Sequence, residues 1–250
     1  GGASNDPRVP NFHKSDVLAG WSNVVDAVHK TPGKIAPQLW HVGMMRKPGT
    51  GPDPDAVSDS PSGRTHKGKQ VQAEPSESEV ADMVMAYANA AGEAKRLGFD
   101  AIEIHGAHGY LIDEFFWNVM NTREDKYGGD LAQRATFAGD IIKECRKQIG
   151  DDMPIILRFS QWKQQEYTAR LAETPQELEA FLNVFADAGV DALHASQRRW
   201  WEAEFPEVDG DDGLNLAGWR KKITGLTANK VGAGGLSPVF IGAFAGVGST

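Results

Sequence analysis

The sequence of 250 residues is 40% hydrophobic and 24% charged, which is typical of globular proteins and enough for one large core. Its net charge of −8, with no basic cluster, argues against nucleic-acid binding. No apolar run is long enough to span a membrane, and the N-terminal residues lack the pattern of a signal peptide. The single cysteine, Cys145, excludes an intrachain disulfide, so we expect a cytoplasmic protein without a membrane partner.

Short apolar runs alternate with helical patterns along the chain. Strands are predicted at 34–40, 99–106, 153–160, 190–196 and 229–235. Between them, helices are predicted at about 76–97, 131–149 and 175–189, and helix-start residues precede the first and third of these. This alternation predicts an α/β fold with a parallel sheet and right-handed crossovers.

Two α/β architectures fit this alternation, a doubly wound sheet and a (β/α)8 TIM barrel. No Gly-x-Gly-x-x-Gly pattern follows the first strand, as a dinucleotide-binding sheet would require. Polar residues at four strand ends, Gln38, His105, Arg158 and Ser196, would converge at the mouth of a barrel. We therefore expect a TIM barrel that is incomplete, with about five parallel strands in one domain over residues 1–250 and a long loop excursion at 44–75.

The stretch EIHGAHGY, at 103–110, places two histidines and a tyrosine where the second strand ends. His105 and His108 could donate hydrogen bonds to one carbonyl oxygen, and Tyr110 could act as a general acid. A metal site is the alternative, with Asp113 or Glu114 as a third ligand. A purely structural role for the three residues remains open at this point.

Two further polar residues lie in otherwise apolar strands. Arg158 needs an anion or a dipole, which could be a bound ligand or an acidic neighbour such as Glu103. Gln38 offers a donor and an acceptor suited to a heterocycle edge, or it could bond to the backbone. The glycine-rich turn KVGAGGL, at 230–236, could leave backbone N–H groups free for a phosphate, although glycines also form ordinary turns.

Together these segments resemble the Old Yellow Enzyme family of flavin-dependent ene-reductases. The segment EIHGAHGYLIDEFFWNVMNTREDKYGG, at 103–129, matches the family pattern H-x-A-[HN]-G-Y-L, then F, then N-x-R-x-D-x-Y-G-G. APQLWHVG at 36–43, ILRFSQWKQQEY at 156–167 and KVGAGGL follow in the order expected of the family. The resemblance covers essentially the whole chain and implies a (β/α)8 barrel with non-covalent FMN.

The resemblance implies that NADH or NADPH reduces the FMN, which then passes hydride to the β-carbon of an α,β-unsaturated carbonyl compound. A small enone-type molecule is thus the expected substrate. His105 and His108 would bind its carbonyl oxygen, and Tyr110 would protonate the α-carbon. Trp40 and Trp200 would line the substrate pocket.

The resemblance also assigns residues to the cofactor. Gln38 would bond the polar edge of the isoalloxazine ring, and Arg158 would stabilise the reduced flavin near its N1–O2 region. Gly232, Ala233 and Gly234 would present their backbone to the phosphate. The loop at 121–129 is expected to be held by a network of its own residues rather than to take part in catalysis; these residues are Asn121, Arg123, Asp125, Tyr127, Gly128 and Gly129.

The sequence matches only strands three to seven of the eight in the family's barrel, and residues 242–250 are expected in the helix after the seventh strand. The alternative to an ene-reductase is therefore an inactive barrel fragment or remnant module that does not hold FMN by itself. A zinc-dependent hydrolase using His105 and His108 is a third possibility. Gln38 and Arg158 argue against it, since neither side chain is a favoured zinc ligand, and no metal is expected.

Overall fold

The computed structural model describes residues 3–4, 6–51 and 53–225, and the backbone of 243–246. Five parallel strands form one sheet in the order β4-β3-β2-β1-β5. Their bounds are β1 Pro37–Trp40, β2 Ile102–His108, β3 Ile155–Lys163, β4 Ala192–Ala195 and β5 Ala243–Gly246. The parallel α/β fold predicted from the alternation of elements is confirmed.

Eight α-helices occur in the described part of the chain. They are α1 Ser15–His29, α2 Glu77–Arg96, α3 Leu111–Phe116, α4 Leu131–Arg134, α5 Thr136–Ile149, α6 Pro175–Asp187, α7 Pro206–Asp209 and α8 Leu216–Thr224. A short 3-10 turn, Gly43–Met45, begins the long loop that leads to α2. No helix among the described residues has the length and hydropathy needed to cross a membrane.

Two predicted helix starts are confirmed by their capping bonds. The Ser76 hydroxyl accepts from the Glu79 N–H while the Glu79 carboxylate accepts from the Ser76 N–H, a capping box that fixes the start of α2. Thr174 caps α6 through the Glu177 N–H, ahead of Pro175. Local sequence therefore determined where these helices begin.

Two predictions of secondary structure were wrong. The helix expected at 131–149 is divided at Ala135 into α4 and α5. Residues 243–246, expected in a helix, form β5 beside β1. Their small and apolar residues suit a strand paired on the sheet edge as well as a helix. The strand predicted at 229–235 lies outside the described residues.

The two faces of the sheet differ in chemistry, because side chains alternate along each strand and paired residues share a face. One face is apolar and joins the helices in a single core; its members are Leu39, Ile102, Ile104, Ile155, Leu157, Phe159 and Leu193. The opposite face is mostly polar; it carries Gln38, Trp40, Glu103, His105, Arg158, Ser160, His194 and Ser196, together with Ile156 and Ala192. The polar face carries the predicted site residues.

Candidate active site at the carboxyl ends of the strands

The histidines and the tyrosine of the HGAHGY stretch lie side by side where β2 ends. The ring of His105 lies 5.2 Å, centroid to centroid, from the rings of both His108 and Tyr110, nearly perpendicular to each. Tyr110 packs edge-on against Trp40 at the end of β1, at 5.1 Å. The structure thus brings together three residues predicted as catalytic and one predicted to line the pocket.

An unusual backbone conformation places His108 in this cluster. It has a φ of +66°, the only positive value at a non-glycine residue in the described part of the chain. The pairing of β2 with β3 shifts register between Gly106 and His108, and the His108 N–H donates to the Ser160 hydroxyl at 2.9 Å. A left-handed conformation costs about 1–2 kcal/mol at a residue with a Cβ atom. The surrounding contacts must offset that cost.

Most of those contacts come from the segment 162–165 at the end of β3, here called the WKQQ segment. The Gln164 N–H donates to the His108 carbonyl at 3.2 Å, and the Gln165 Nε2 donates to the Gly109 carbonyl at 2.8 Å. The Trp162 ring packs on the His108 imidazole at 4.6 Å. The segment therefore holds both the backbone and the ring of His108.

Two side chains of the WKQQ segment reach further. Gln164 Nε2 donates to the Tyr110 hydroxyl at 3.2 Å. Lys163 Nζ pairs with Asp113 at 2.7 Å, and Asp113 also accepts from the Gly109 N–H at 2.6 Å. Sequence reasoning missed both Lys163 and Gln164. The only signal was a lysine three residues after the predicted apolar strand, and its partner lies 50 residues away in sequence.

Both histidines are neutral at physiological pH. Burial is the main cause that lowers the pKa of His105 far below its usual value, and the charges of His108 and Arg158 add to it. Burial, with the charges of Arg158 and Lys163, lowers the pKa of His108 to about 3. His105 Nδ1 accepts from the Ala107 N–H at 3.3 Å, so its Nε2 carries the proton. A neutral imidazole offers one N–H donor.

The acidic neighbour suggested for Arg158 is not its partner. Glu103 bonds instead to Gln38 Nε2 at 2.5 Å and to His194 Nδ1 at 2.6 Å. Arg158 donates to the Ser196 hydroxyl at 3.3 Å, and the same hydroxyl lies 2.8 Å from His108 Nε2. Ser196 therefore links the arginine to the histidine pair. The suggestion that Gln38 bonds to the backbone is also wrong, since its amide nitrogen bonds to a carboxylate.

Two buried polar atoms on the sheet's polar face have no hydrogen-bond partner among the described residues. They are Gln38 Oε1 and Arg158 Nε. One is an acceptor and the other a donor, and a buried polar atom left unpaired costs about 1–3 kcal/mol. An N–H group and a carbonyl, both of which the isoalloxazine of FMN carries, are the kinds of partner that these two atoms lack. The predicted phosphate-binding residues Gly232, Ala233 and Gly234 lie outside the described residues.

The metal alternative finds little support in the side chains near the histidines. Asp113 is bound to Lys163, and Glu114 accepts from the Met44 N–H at 2.8 Å. Burial raises the pKa of Glu114 well above its usual value, which favours the protonated form over the carboxylate that a metal requires. Across residues 3–4, 6–51 and 53–225, no three histidine, cysteine or acidic side chains form a group suited to a metal ion.

The loop at 121–129 is a hydrogen-bonded network, as expected. Arg123 donates to the carbonyls of Pro61 and Pro75 at 2.8 and 2.7 Å and pairs with Asp125 at 2.5 Å. Asn121 Nδ2 donates to the carbonyls of Phe115 and Tyr127. The network ties the long loop before α2 to the segment after α3.

A cleft of about 340 Å³ adjoins the cluster between the loops that follow β3 and β4. Its lining includes Trp162, Tyr167, Arg170, Ser196, Arg198 and Glu204. Burial raises the pKa of Glu204 to about 7. Trp200, predicted to line the substrate pocket, lies outside this lining; it is 60% exposed and packs edge-on against Trp201. Its predicted role stays a prediction.

Comparison with known proteins agrees with the fold and the motif. Residues 1–221 match the model of the NADH:flavin oxidoreductase / NADH oxidase family. An NADH oxidase of Thermoanaerobacter brockii is 36% identical over 179 residues, which is 72% of this chain and 27% of that protein. A probable inactive reductase, easA, of Epichloe festucae var. lolii is 32% identical over 209 residues, covering 81% of this chain and 53% of that protein.

Among solved structures, morphinone reductase in complex with tetrahydroNAD superposes with a TM-score of 0.64 at 25% identity. The superposition covers 76% of this chain and 58% of the morphinone reductase chain. The chain spans between about a quarter and about half of the length of the two curated relatives. These matches confirm the predicted resemblance to a family whose cofactors are FMN and NADH or NADPH. The chain belongs to the NADH:flavin oxidoreductase / NADH oxidase family.

Proposed function

We propose that this chain carries the substrate-binding centre of an FMN-dependent ene-reductase, which reduces the alkene of α,β-unsaturated carbonyl compounds with electrons from NADH or NADPH. The observation that supports this most is the packing of His105 against both His108 and Tyr110, on the face of the sheet where a buried acceptor and a buried donor lack partners. A small enone-type molecule is the proposed substrate.

In this proposal His105 and His108 bind the carbonyl oxygen of the substrate. Each neutral ring has one N–H to donate, and hydrogen bonds to the oxygen stabilise the negative charge that develops there as the β-carbon accepts hydride. Their neutrality matters, because two imidazolium rings 5.2 Å apart would repel each other and Arg158. Burial keeps both rings in the required form.

Tyr110 is the proposed proton donor to the α-carbon. Gln164 Nε2 donates to its hydroxyl oxygen, so the hydroxyl hydrogen stays available for the substrate. The rings of Trp40 and His105 pack edge-on against the tyrosine and restrict its orientation. A general acid held in this way needs little reorganisation at the moment of proton transfer.

Gln38 and Arg158 are proposed to hold the isoalloxazine ring. Bound FMN would supply the hydride for the alkene. The Gln38 amide oxygen would accept from a ring N–H, and the Arg158 guanidinium would donate to ring heteroatoms and lower the energy of added electron density. Glu103 fixes the orientation of the Gln38 amide by accepting from its nitrogen. The amide oxygen is then the atom that remains available to a ligand.

The test is the absorbance spectrum of the purified chain after incubation with FMN and removal of the excess. We expect flavin bands that stay with the protein, and weaker retention in Gln38→Leu and Arg158→Met. Gln148→Leu, which changes an exposed glutamine on α5, is the matched control. Equal retention in all four proteins would contradict the assignment of Gln38 and Arg158.

A second test addresses the histidines. In the FMN-loaded protein, replacing both His105 and His108 with alanine should weaken the binding of phenols, whose oxygen resembles the substrate carbonyl, by at least about tenfold. His66→Ala, in the loop before α2, should leave the binding unchanged. Unaltered phenol binding in the double variant would contradict the proposed role of the histidines.

An inactive barrel remnant that does not hold FMN is the second candidate. One observation favours it: a relative that is 32% identical over 81% of this chain is itself named a probable inactive reductase. A colourless protein after FMN treatment, with a normal far-ultraviolet circular dichroism spectrum, would favour this candidate over the enzyme.

A further inference from the structure

The cleft beside the histidine cluster contains three arginines, and two of them are already paired. Arg170 contacts the carboxylates of Glu204 and Glu207 at 3.9 and 3.5 Å. Arg199 pairs with Glu202 at 2.8 Å. These pairs neutralise much of the charge that the two arginines bring to the cleft.

Arg198 differs from Arg170 and Arg199 in having no acidic partner among the described residues. Its guanidinium makes no hydrogen bond or ion pair with any described residue, and it lies over the Tyr167 ring at 3.9 Å. The Trp162 ring centroid is 5.9 Å away. Stacking on two aromatic rings orients the planar guanidinium while leaving its N–H donors for another partner. The cleft therefore holds an oriented cation without an anion.

The same cleft reaches the histidine cluster through shared residues. Trp162, which contacts Arg198, also packs on the His108 imidazole at 4.6 Å. Ser196 lines the cleft and lies 2.8 Å from His108 Nε2. A molecule whose carbonyl oxygen binds at His105 and His108 can thus extend past Trp162 to the guanidinium of Arg198. A volume of about 340 Å³ is enough for a side arm of several atoms.

We propose that this cleft is a subsite for an anionic oxygen group, a carboxylate or a phosphate, on the molecule bound at the histidines, and that Arg198 binds it. The inference deepens the proposed function, on which it rests, because it selects enones with an acidic side arm. The same anionic chemistry occurs in the phosphates of the nicotinamide nucleotide. Guanidinium pairs with carboxylate and phosphate oxygens through two parallel hydrogen bonds, so it suits either source.

Calorimetric titration of the FMN-loaded protein tests the subsite without turnover. The probes are 4-(4-hydroxyphenyl)butanoate, its methyl ester and tetrahydroNAD. The native protein should bind the butanoate about tenfold more tightly than its ester, and Arg198→Gln should abolish this preference without changing the affinity for the ester. Arg199→Gln is the matched control, because that arginine is already paired, and it should keep the preference. Arg198→Lys should keep part of it.

The outcomes separate the two sources of the anion. Loss of butanoate binding alone in Arg198→Gln assigns the subsite to the substrate, and loss of tetrahydroNAD binding alone assigns it to the nucleotide phosphate. Unchanged binding of both probes overturns the proposal. Turnover is measured separately with a cyclohexenone carrying a carboxymethyl arm and with its ester. If neither enone is reduced although the flavin is, the ene-reductase proposal fails, whereas the calorimetric preference is unaffected.

Discussion

Lys163 and Asp113 form an ion pair of 2.7 Å in which neither side chain is exposed to solvent. The pair joins the end of β3 to α3, directly beneath the turn that carries His108 and Tyr110. Because Asp113 also accepts from the Gly109 N–H at 2.6 Å, the pair fixes that turn as well as the two elements. Burial opposes both charges, lowering the pKa of Lys163 and raising that of Asp113.

Removing one partner of this pair should destabilise the protein. Lys163→Met leaves a buried carboxylate alone, so we expect a loss of about 3–5 kcal/mol in the free energy of unfolding near neutral pH. The double variant with Asp113→Asn keeps an acceptor for the Gly109 N–H and should lose less than Lys163→Met alone. Urea unfolding of Lys163→Met, of Asp113→Asn and of the double variant measures the coupling free energy between the two side chains. Additive losses would show that the two charges do not interact.

Gln164 should act as a positioning residue for Tyr110. Gln164→Leu removes the hydrogen bond of 3.2 Å to the hydroxyl and should slow alkene reduction by about three- to tenfold. The rate of flavin reduction by NADH or NADPH should not change, because Tyr110 donates its proton only in the alkene-reduction step. Stopped-flow measurement of the two half-reactions gives both rates. Glu166→Gln, an exposed neighbour, is the control. Equal slowing of both half-reactions would indicate a structural effect instead.

His108 should stay neutral across the physiological range, since its pKa is lowered to about 3. Its ring carbon and nitrogen resonances should therefore show no titration between about pH 5 and pH 8, unlike an exposed histidine. Two-dimensional NMR of the imidazole groups measures this pH dependence, and the resonances that disappear in His108→Gln are those of His108. A midpoint near the usual histidine value would mean that burial does not control the ring's charge.

Glu204 should make stability depend on pH. Burial raises its pKa in the folded protein to about 7 from the usual 4.5, so the folded state binds the proton more tightly than the unfolded state. The stabilisation is fully present below the unfolded pKa and is lost as pH rises through about 7, by at most about 3 kcal/mol. Glu204→Gln should remove this dependence. Parallel stability–pH curves for the two proteins would contradict the assignment.

Much of the fold follows from local sequence. Ser76 and Thr174 cap helices where predicted, and four of the predicted strands occur at or within a few residues of their expected bounds. The helix α1 was not predicted, although the apolar spacing of Leu18, Trp21 and Val25 is helical. The residues before α1 are typical of loops, so the whole N-terminal segment was interpreted as a loop.

The site was predicted less completely, because part of it depends on pairing between distant segments. The motif fixes the histidines and the tyrosine on one turn, so their proximity could be predicted. The bonds from the WKQQ segment join residues 50 or more positions apart, as Lys163 and Gln164 show, and depend on the register between β2 and β3. A shift of one residue in that register would point Gln164 away from Tyr110.

The most direct test of the account is the Tyr110→Phe variant of the FMN-loaded protein, followed through both half-reactions. We predict that reduction of the flavin by NADH or NADPH keeps its rate, whereas reoxidation of the reduced flavin by an enone slows by about a hundredfold or more. Reoxidation at the native rate would contradict the role of Tyr110 as proton donor, and with it the chemistry proposed for the cluster.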